Sequence, residues 1–274
     1  MSNKPAGHKA RKRFGQNFLQ DQGVIRRIIR AIAPSETEHL IEIGPGLGAI
    51  TEELLDLCQR LDVVELDRDL IPILRTKFFS YADKFTIHEG DALKFDFSTL
   101  QLQDEQLRVV GNLPYNISTP LIFHLLTFAD QIEDMHFMLQ KEVVDRLAAK
   151  PGDSAYGRLG IMAQYYCQIE PLFLVPPHAF DPAPKVDSAI VRLVPYKELP
   201  HQAQDISKLE IVVRTAFGQR RKTLRNNLKP LLSVDEIAAL GIDPGLRPER
   251  LALTDFIRIS DYLSSQKSPD NETL

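Results

Sequence analysis

Three segments that could bind a small molecule follow successive β-rich runs. The first is the turn EIGPGLG at 42–48, directly after the strand-like run His39–Ile43. Glu65 comes at the end of the next β-rich run, and Asp91 follows the third. Glycines at a strand-to-helix turn let the backbone approach a ligand, because no Cβ stands in the way. The series therefore indicates a ligand site along one edge of a sheet.

These residue types favour a nucleoside that carries no phosphate. The glycines Gly44, Gly46 and Gly48 are spaced G-x-G-x-G, which differs from the G-x-G-x-x-G fingerprint of dinucleotide folds. Glu65 can accept hydrogen bonds from both hydroxyls of a ribose, and Asp91 can accept one from the exocyclic amine of adenine. S-adenosylmethionine has an adenine, a ribose and a cationic sulfonium, so it is the expected cofactor. Taken singly, each carboxylate could equally be a solvent-exposed residue at the end of a strand that binds no ligand.

A second chemical segment, NLPY at 112–115, follows the fourth β-rich run. Pro114 favours an extended conformation for Leu113. This conformation would expose the Asn112 side chain and the following carbonyl groups to the ligand site. The Asn112 amide oxygen can accept a hydrogen bond from the N6 amine of an adenine, and Tyr115 can stack on the base. That amine is a poor nucleophile, so acceptors that hold its hydrogens would prepare it for attack on a methyl group. In isolation, the segment would also fit a turn covered by a tyrosine.

Strand-like and helix-like patterns alternate from residue 39 to about 194. The predicted strands are 39–43, 61–66, 85–88, 107–111 and 135–139, and the predicted helices are 50–58, 69–78, 118–128 and 142–149. This alternation predicts an α/β fold with a mostly parallel sheet and helices on both faces. Two further strands are expected at 171–175 and 186–194, the second at an edge. Only helical patterns follow Pro195, which predicts domains at 1–200 and 201–274.

Basic residues are concentrated in two blocks, although the whole chain has a net charge of -4. Residues 1–30 contain eight basic side chains and one acidic, and residues 211–234 contain six basic side chains and no acidic one. Two basic blocks on an acidic body are typical of a nucleic-acid-binding protein with a localised footprint. A single such block would as readily be a solvated helix face.

Composition excludes several other classes of protein. No apolar run approaches the ~18 residues that a membrane span needs, and the first twenty residues contain no signal-peptide-like segment. The two cysteines, Cys58 and Cys167, have no cysteine or histidine at ligand spacing, so neither a disulfide framework nor a metal site is expected. A cytoplasmic location without membrane association is the expectation.

Six motifs, found in one order along the chain, make the sequence similar to a known family. They are KRFGQNFL at 12–19, EIGPGLG at 42–48, ELD at 65–67, DA at 91–92, NLPYNIS at 112–118 and FDPAPKVDS at 180–188. Together they resemble the ribosomal RNA adenine dimethylases, most nearly their bacterial small-subunit branch, over residues 8–260. The resemblance implies the Rossmann-like sheet of class I methyltransferases and a small all-α C-terminal domain.

The resemblance also implies roles for individual residues. The cofactor would be bound by Asn17, Leu19, Gly44, Gly46, Glu65, Asp91 and Asn112. The catalytic group would comprise Asn112, Leu113, Tyr115 and Phe180, with Tyr115 and Phe180 on either side of a flipped base. The basic residues expected to bind rRNA are Arg214, Arg220, Arg221, Lys222 and Arg225.

The reaction implied is methyl transfer from S-adenosylmethionine to N6 of two adjacent adenosines, giving N6,N6-dimethyladenosine. These adenosines lie in a hairpin loop near the 3′ end of 16S rRNA, within the pre-30S particle. The expected state is a monomer, because that substrate is large and asymmetric. The alternatives are a methylase of large-subunit rRNA and a non-catalytic small-subunit assembly factor. A nicotinamide dehydrogenase is disfavoured by the glycine spacing.

Overall fold

The structure is a computed structural model that describes residues 16–101, 105–219 and 221–266. Its packing divides the chain into two units. The first contains the described residues as far as Val144 together with Gln168–Pro195. The second contains Asp145–Cys167 and the described residues from Tyr196 onwards. This division differs from the predicted domains 1–200 and 201–274, because the segment 145–167 groups with the C-terminal residues. A helical pattern shows that a face is buried, but it does not show which unit buries it.

A seven-stranded sheet is the centre of the first unit. In spatial order its strands are β4 (Phe85–Glu89), β3 (Arg60–Glu65), β2 (His39–Ile43), β5 (Leu107–Asn112), β6 (Ile132–Gln140), β9 (Ser188–Pro195) and β7 (Cys167–Val175). Neighbouring strands from β4 to β6 are parallel, and β9 is antiparallel to β6. The α/β fold class is therefore confirmed.

The edge position was predicted for the wrong strand. β9 lies between β6 and β7, so β7 forms that edge of the sheet. Arg192 and Val194 are the two residues of β9 that stay partly exposed, and only Arg192 of the two is polar. The other polar residue of the strand, Ser188, is buried. A polar position in an interior strand can thus imitate the pattern of an edge strand.

The strand order reverses at β2. From β2 the chain continues to β3 and β4 on one side, and it then returns to β5 and β6 on the other. Because these strands are parallel, their carboxyl ends lie at the same edge of the sheet. Open α/β sheets bind ligands in the crevice at this reversal. Gly44, Glu65, Asp91 and Asn112 all lie at or just after the carboxyl ends of these strands.

The sheet is accompanied by five helices, α1 (Gln22–Ile32), α2 (Ala49–Leu57), α3 (Leu70–Lys77), α4 (Ser118–Leu126) and α5 (Lys141–Ala148). Asp21 is the N-cap residue of α1, and its side chain accepts hydrogen bonds from the backbone N–H groups of Gly23 and Val24. Its apolar stripe from Val24 to Ile32 packs in one core with residues of α2 and of the sheet. α5 crosses from the first unit into the second.

Helices make up the regular structure of the second unit. They are α6 (Arg158–Tyr166), α7 (Ile206–Ala216), α8 (Leu224–Asn227), α9 (Val234–Ala239) and α10 (Leu253–Ser265). Ser233 and Glu236 form a capping box at the start of α9. Gly241 follows α9 with a φ of +73°, the left-handed conformation that commonly ends helices. Within the described residues, no helix is long and apolar enough to cross a membrane.

Candidate cofactor and substrate site

A cavity of about 1580 Å³ lies at the carboxyl ends of β2, β3, β4 and β5. Sites for drug-sized ligands are on the order of 300–1,000 Å³, so this cavity has room for a cofactor and for part of a second molecule. The predicted site residues that line it are Asn17, Leu19, Gly44, Gly46, Glu65, Asp91, Asn112, Leu113 and Tyr115. The structure therefore brings together residues from five separated segments of the chain.

The glycine turn after β2 forms one wall of the cavity. Gly44, Gly46 and Gly48 have φ values of +66°, +60° and +78°, a region that residues with a Cβ rarely adopt. A Cβ on Gly44 would meet its nearest atom only at 4.0 Å, so the space beside this glycine is open. A Cβ on Gly48 would lie 2.6 Å from the Phe78 ring. The absence of a Cβ at Gly44 thus leaves room for a ligand, whereas its absence at Gly48 lets the Phe78 ring pack against the turn.

Glu65, at the end of β3, points its carboxylate at the same turn. Its Oε2 accepts a hydrogen bond of 3.4 Å from the Gly46 N–H, and its Oε1 accepts one of 2.8 Å from the Asp67 N–H. The residue is only 6% exposed, and this burial raises the pKa of its carboxyl above the ordinary value. The two backbone donors oppose that rise. A carboxylate held in this way can accept further hydrogen bonds from paired hydroxyls.

Glu42 is a lining residue that the predicted site residues did not include. It is 2% exposed, and its Oε2 accepts a hydrogen bond of 2.5 Å from the Thr51 hydroxyl. Burial raises the pKa of Glu42 to about 7, against the lowering effect of Thr51. The sequence does contain a signal for Glu42, because this residue begins the glycine motif EIGPGLG and lies one residue before the end of β2.

Acidic groups predominate among the charged residues that line the cavity. They are Glu42, Glu52, Glu53, Asp56, Glu65 and Asp91, and the single lysine among the lining residues is Lys77. Lys77 is paired with Glu52 at 2.8 Å, so its charge is already compensated. An acidic cavity repels phosphate and attracts a cation. This charge balance fits S-adenosylmethionine, with its sulfonium and its amino group, better than it fits a nucleotide.

Asp91 follows β4 with a side chain that is only partly engaged. Its Oδ1 accepts a hydrogen bond of 3.0 Å from the Leu93 N–H, which orients the carboxylate. No hydrogen bond from another described residue engages Oδ2. This oxygen is therefore an available acceptor for the amino group of a purine.

The Asn112 side chain connects the end of β5 to the N-terminal segment. Its Nδ2 donates a hydrogen bond of 3.1 Å to the backbone oxygen of Asn17. With the amide oriented in this way, Oδ1 is the acceptor, and it has no partner among the described residues. The next free acceptor is the Leu113 carbonyl, because the carbonyl of Pro114 already accepts from the Ile117 N–H. The loop thus offers two neighbouring acceptor oxygens that no described donor engages.

The N-terminal segment crosses the cavity and is attached at several points. β1 (Phe18–Leu19) forms a two-stranded antiparallel sheet with β8 (Phe180–Asp181), in which Leu19 is opposite Phe180. The Gln20 N–H donates to the Ala179 carbonyl at 2.8 Å, and Gln16 Nε2 donates to Asp67 Oδ2 at 2.9 Å. These contacts hold Asn17 and Leu19 in the lining of the cavity.

The two aromatic residues expected to hold a base have different surroundings. Tyr115 lines the cavity, and its hydroxyl lies 2.9 Å from Ser188 Oγ, which fixes one end of the side chain. Phe180 is 5% exposed, belongs to the hydrophobic core and is not among the residues that line the cavity. Leu113 lines the cavity but is only 1% exposed as a whole residue.

The basic residues expected to bind rRNA belong to the second unit. Arg214 is on α7, Arg225 is on α8, and Arg221 and Lys222 lie between these helices, all four exposed. Arg220 and the basic tail at 9–13 lie outside the described residues. Within the described residues, no group of three or more side chains could hold a metal ion.

Comparison with known proteins identifies the family. The model of the family described as ribosomal RNA adenine dimethylase matches residues 7–265. The chain belongs to the ribosomal RNA adenine dimethylases. As a member, it is a methyltransferase whose methyl donor is S-adenosylmethionine, in agreement with the acidic, glycine-walled cavity.

Individual relatives agree with this assignment. The chain is 65% identical to ribosomal RNA small subunit methyltransferase A of Marinobacter nauticus over 275 residues, which cover 99% of both proteins. It is 65% identical to the Pseudomonas aeruginosa protein of the same name, over 94% of this chain and 96% of that protein.

Two solved structures share the fold of this dimethylase. A dimethyladenosine transferase from Plasmodium falciparum is 26% identical, with a TM-score of 0.74 over 88% of this chain and 95% of the other. The 23S rRNA methyltransferase ErmE is 25% identical, with a TM-score of 0.71 over 90% of this chain and 100% of the other. The expected class I methyltransferase fold is thereby confirmed.

Proposed function

We propose that this dimethylase transfers methyl groups from S-adenosylmethionine to N6 of two adjacent adenosines of 16S rRNA. The adenosines lie in a hairpin loop near the 3′ end, within the pre-30S particle. The observation that carries the proposal is the position of Asn112, which has a free Oδ1 and lines the cavity together with the Gly44 turn and Glu65. Relatives at 61–65% identity are named as small-subunit rRNA methyltransferases, which supports the choice of rRNA.

The cofactor end of the cavity is assigned to the residues after β2, β3 and β4. Glu65 accepts hydrogen bonds from the ribose hydroxyls, and Asp91 Oδ2 accepts one from the adenine amine. Gly44 and Gly46 let the backbone contact the methionine part, over which Asn17 and Leu19 close. When bound, S-adenosylmethionine supplies an electrophilic methyl group on its sulfonium. The neighbouring carboxylates stabilise that cation before transfer.

At the substrate end, the two free acceptors after β5 prepare the target amine. Asn112 Oδ1 and the Leu113 carbonyl hold the two amine hydrogens, so the nitrogen lone pair turns out of the ring plane and towards the methyl donor. Positioning and electrostatics then provide most of the rate enhancement, without a strong base.

The new nitrogen–methyl bond would replace the sulfonium–methyl bond, and the nitrogen, cationic and therefore acidic, would release one proton to water. The amine then retains one hydrogen, and Asn112 can still hold it for the second transfer.

Tyr115 and Phe180 are assigned to the flipped base. The hydrogen bond between Tyr115 and Ser188 keeps the tyrosine ring in one position, which favours stacking. Phe180 is buried at the end of the two-stranded sheet, so a base would reach it only after a local displacement of that sheet. Because a loop adenosine is already unpaired or nearly so, moving it into the cavity costs little.

Binding of the particle is assigned to the basic residues of the second unit, Arg214, Arg220, Arg221, Lys222 and Arg225. Their guanidinium and ammonium groups match the geometry and charge of phosphates. For this role we propose that the protein acts as a monomer in the cytoplasm.

A large-subunit rRNA methylase is the alternative to which the likeness with ErmE points. That likeness is at 25% identity, whereas the relatives named for the small subunit reach 65%. Mass mapping of both rRNAs from cells lacking the protein separates the two functions. We expect N6,N6-dimethyladenosine to disappear from 16S rRNA and to return with the wild-type gene. Loss from 23S rRNA alone would overturn the proposal.

The same strain tests whether the protein acts only as an assembly factor. Complementation with the Asn112→Ala variant should restore the protein to the cell but not the modified adenosines. Full modification with this variant would overturn the assignment of Asn112 to the target amine.

A further inference from the structure

α1 carries three arginines on one exposed face, and the proposed function does not use them. Arg26, Arg27 and Arg30 are all exposed, while the opposite face of the helix is buried in the core. Arg26 and Arg30 are four residues apart and Arg27 and Arg30 are three apart, so the three side chains emerge close together. They belong to the N-terminal basic block that the charge distribution singled out.

These three arginines have no acidic partner in the part of the chain that the structure describes. The arginines that form ion pairs there are Arg60, Arg68, Arg108, Arg192, Arg247 and Arg258. Like charges at such spacing repel each other and weaken the helix slightly. The repulsion is relieved when an anion binds, so the face is electrostatically suited to an external polyanion.

Arg27 has a particular geometry as well as a charge. Its guanidinium carbon lies 4.0 Å from the centre of the Phe173 ring, on the edge strand β7. This cation–π contact holds the guanidinium group over the ring. A guanidinium held in this way is a surface on which an unpaired base stacks, and it still has N–H donors for a phosphate. An acidic protein partner would interact with the positive charge of Arg27, but it would have no base to stack on the flat guanidinium group.

The arginine face begins close to the cavity. Gln20 and Gln22, at the start of α1, both line the cavity. At 1.5 Å per residue, Arg26 is about 6 Å and Arg30 about 12 Å from Gln22 along the helix axis. An RNA strand that places one nucleotide in the cavity therefore has its neighbouring nucleotides within reach of these arginine side chains.

We propose that Arg26, Arg27 and Arg30 form an RNA-binding surface on the first unit. Arg26 and Arg30 bind phosphates of the nucleotides that flank the target adenosine, and the stacked pair of Arg27 and Phe173 supports an unpaired base. This inference rests on the proposed function. It adds an RNA contact beside the cavity to the contacts assigned to the second unit.

Salt dependence of binding tests the phosphate contacts. The full-length Arg26→Gln/Arg30→Gln variant is titrated onto small-subunit particles that lack dimethyladenosine, over a potassium chloride series. Each lost phosphate contact lowers the slope of log affinity against log salt by about 0.7–0.9, so we expect a decrease of about 1.4–1.8. Affinity at low salt should fall at least tenfold. A slope equal to that of the wild type would overturn the proposal.

A matched control removes the same charge elsewhere on the first unit. Arg75 and Lys94 are exposed, and the Arg75→Gln/Lys94→Gln variant also loses two positive charges. This control should keep nearly the wild-type slope. If both double variants lowered the slope equally, the effect would belong to net charge, and the proposed surface would be wrong.

The stacking contact is tested separately with Arg27→Lys. This variant keeps the positive charge but loses the planar guanidinium group. The slope of log affinity against log salt should therefore stay unchanged, while the affinity falls about threefold to tenfold. Unchanged affinity would remove Arg27 and Phe173 from the RNA-binding surface.

A photo-crosslinker at position 30 identifies the molecule that the surface contacts. In the Arg30→p-benzoylphenylalanine variant, crosslinks to 16S rRNA next to the modified adenosines support the proposal. Crosslinks only to a ribosomal protein, or none at all, overturn it. Methyl transfer by the wild type to the same particles is measured in parallel. Its absence would refute the proposed function, whereas the slopes and crosslinks test the arginine surface.

Discussion

Asn112 Nδ2 donates a hydrogen bond to the Asn17 backbone oxygen, and so joins the end of β5 to a segment 95 residues earlier in the chain. One amide thereby has two tasks. Its nitrogen anchors the N-terminal segment at the cavity, and its oxygen has no partner among the described residues. Under the proposed function, cover of the cofactor and presentation of the acceptor would depend on one side chain.

Two substitutions separate the tasks of Asn112. Asn112→Ala should lower kcat on the order of 10²-fold, as does the removal of one hydrogen-bonding group from other catalytic sites. Asn112→Asp keeps an acceptor oxygen but loses the Nδ2 donor, so it should mainly weaken cofactor binding, through the Asn17 contact. Single-turnover rates and calorimetric cofactor titration measure the two effects. Equal loss of both quantities in both variants would show that the tasks are not separable.

Glu65→Ala should weaken cofactor binding at least tenfold while leaving the affinity for the RNA particle nearly intact. The reason is that Glu65 Oε2 is held at the glycine turn by the Gly46 N–H, while Oε1 is held by the Asp67 N–H. Glu89→Gln is the control, because Glu89 is an exposed carboxylate at the end of the neighbouring strand. Calorimetry gives the first affinity, and particle sedimentation gives the second. A parallel fall in RNA affinity would contradict this division of roles.

Glu42 should make stability depend on pH. Burial raises its pKa from 4.5 to about 7, so the folded protein holds a proton that the unfolded chain releases. The stabilising contribution is full below about pH 4.5 and is lost as the pH rises to about 7. A shift of this size corresponds to about 3 kcal/mol at most.

The pH dependence assigned to Glu42 is checked by urea unfolding between pH 5 and pH 8. The free energy of unfolding of the wild type should fall across this range more steeply than that of Glu42→Gln, which cannot ionise. Identical slopes for the two proteins would exclude Glu42 as the group responsible.

Phe180→Ala should affect both turnover and stability. Phe180 is 5% exposed and packs in the core of the first unit, so truncation costs about 3–5 kcal/mol of unfolding free energy. Phe180→Leu fills most of that volume without an aromatic face, and it should fold nearly normally. If Phe180 stacks on the base, Phe180→Leu lowers kcat more than it weakens cofactor binding. Wild-type kcat in a folded Phe180→Leu protein would restrict Phe180 to a role in packing.

The sheet was predictable because each strand carries its own signal. The predicted strand 39–43 coincides with β2, and the predicted helix 50–58 differs from α2 by one residue at each end. The position of β9 was not predictable, because strand neighbours depend on pairing across the whole sheet. The grouping of 145–167 with the second unit was equally hidden, since it depends on long-range packing.

The sequence by itself determined the chemistry of the site. The glycine motif, Glu65, Asp91 and the NLPY segment are local patterns whose residue types indicate a nucleoside cofactor and an adenine amine. Only the tertiary structure decided that Asn112 reaches Asn17, that Glu42 is buried in the wall of the same cavity, and that Phe180 lies in the core. Residue type and spacing are local properties, whereas burial and contacts between distant segments arise only when the chain folds.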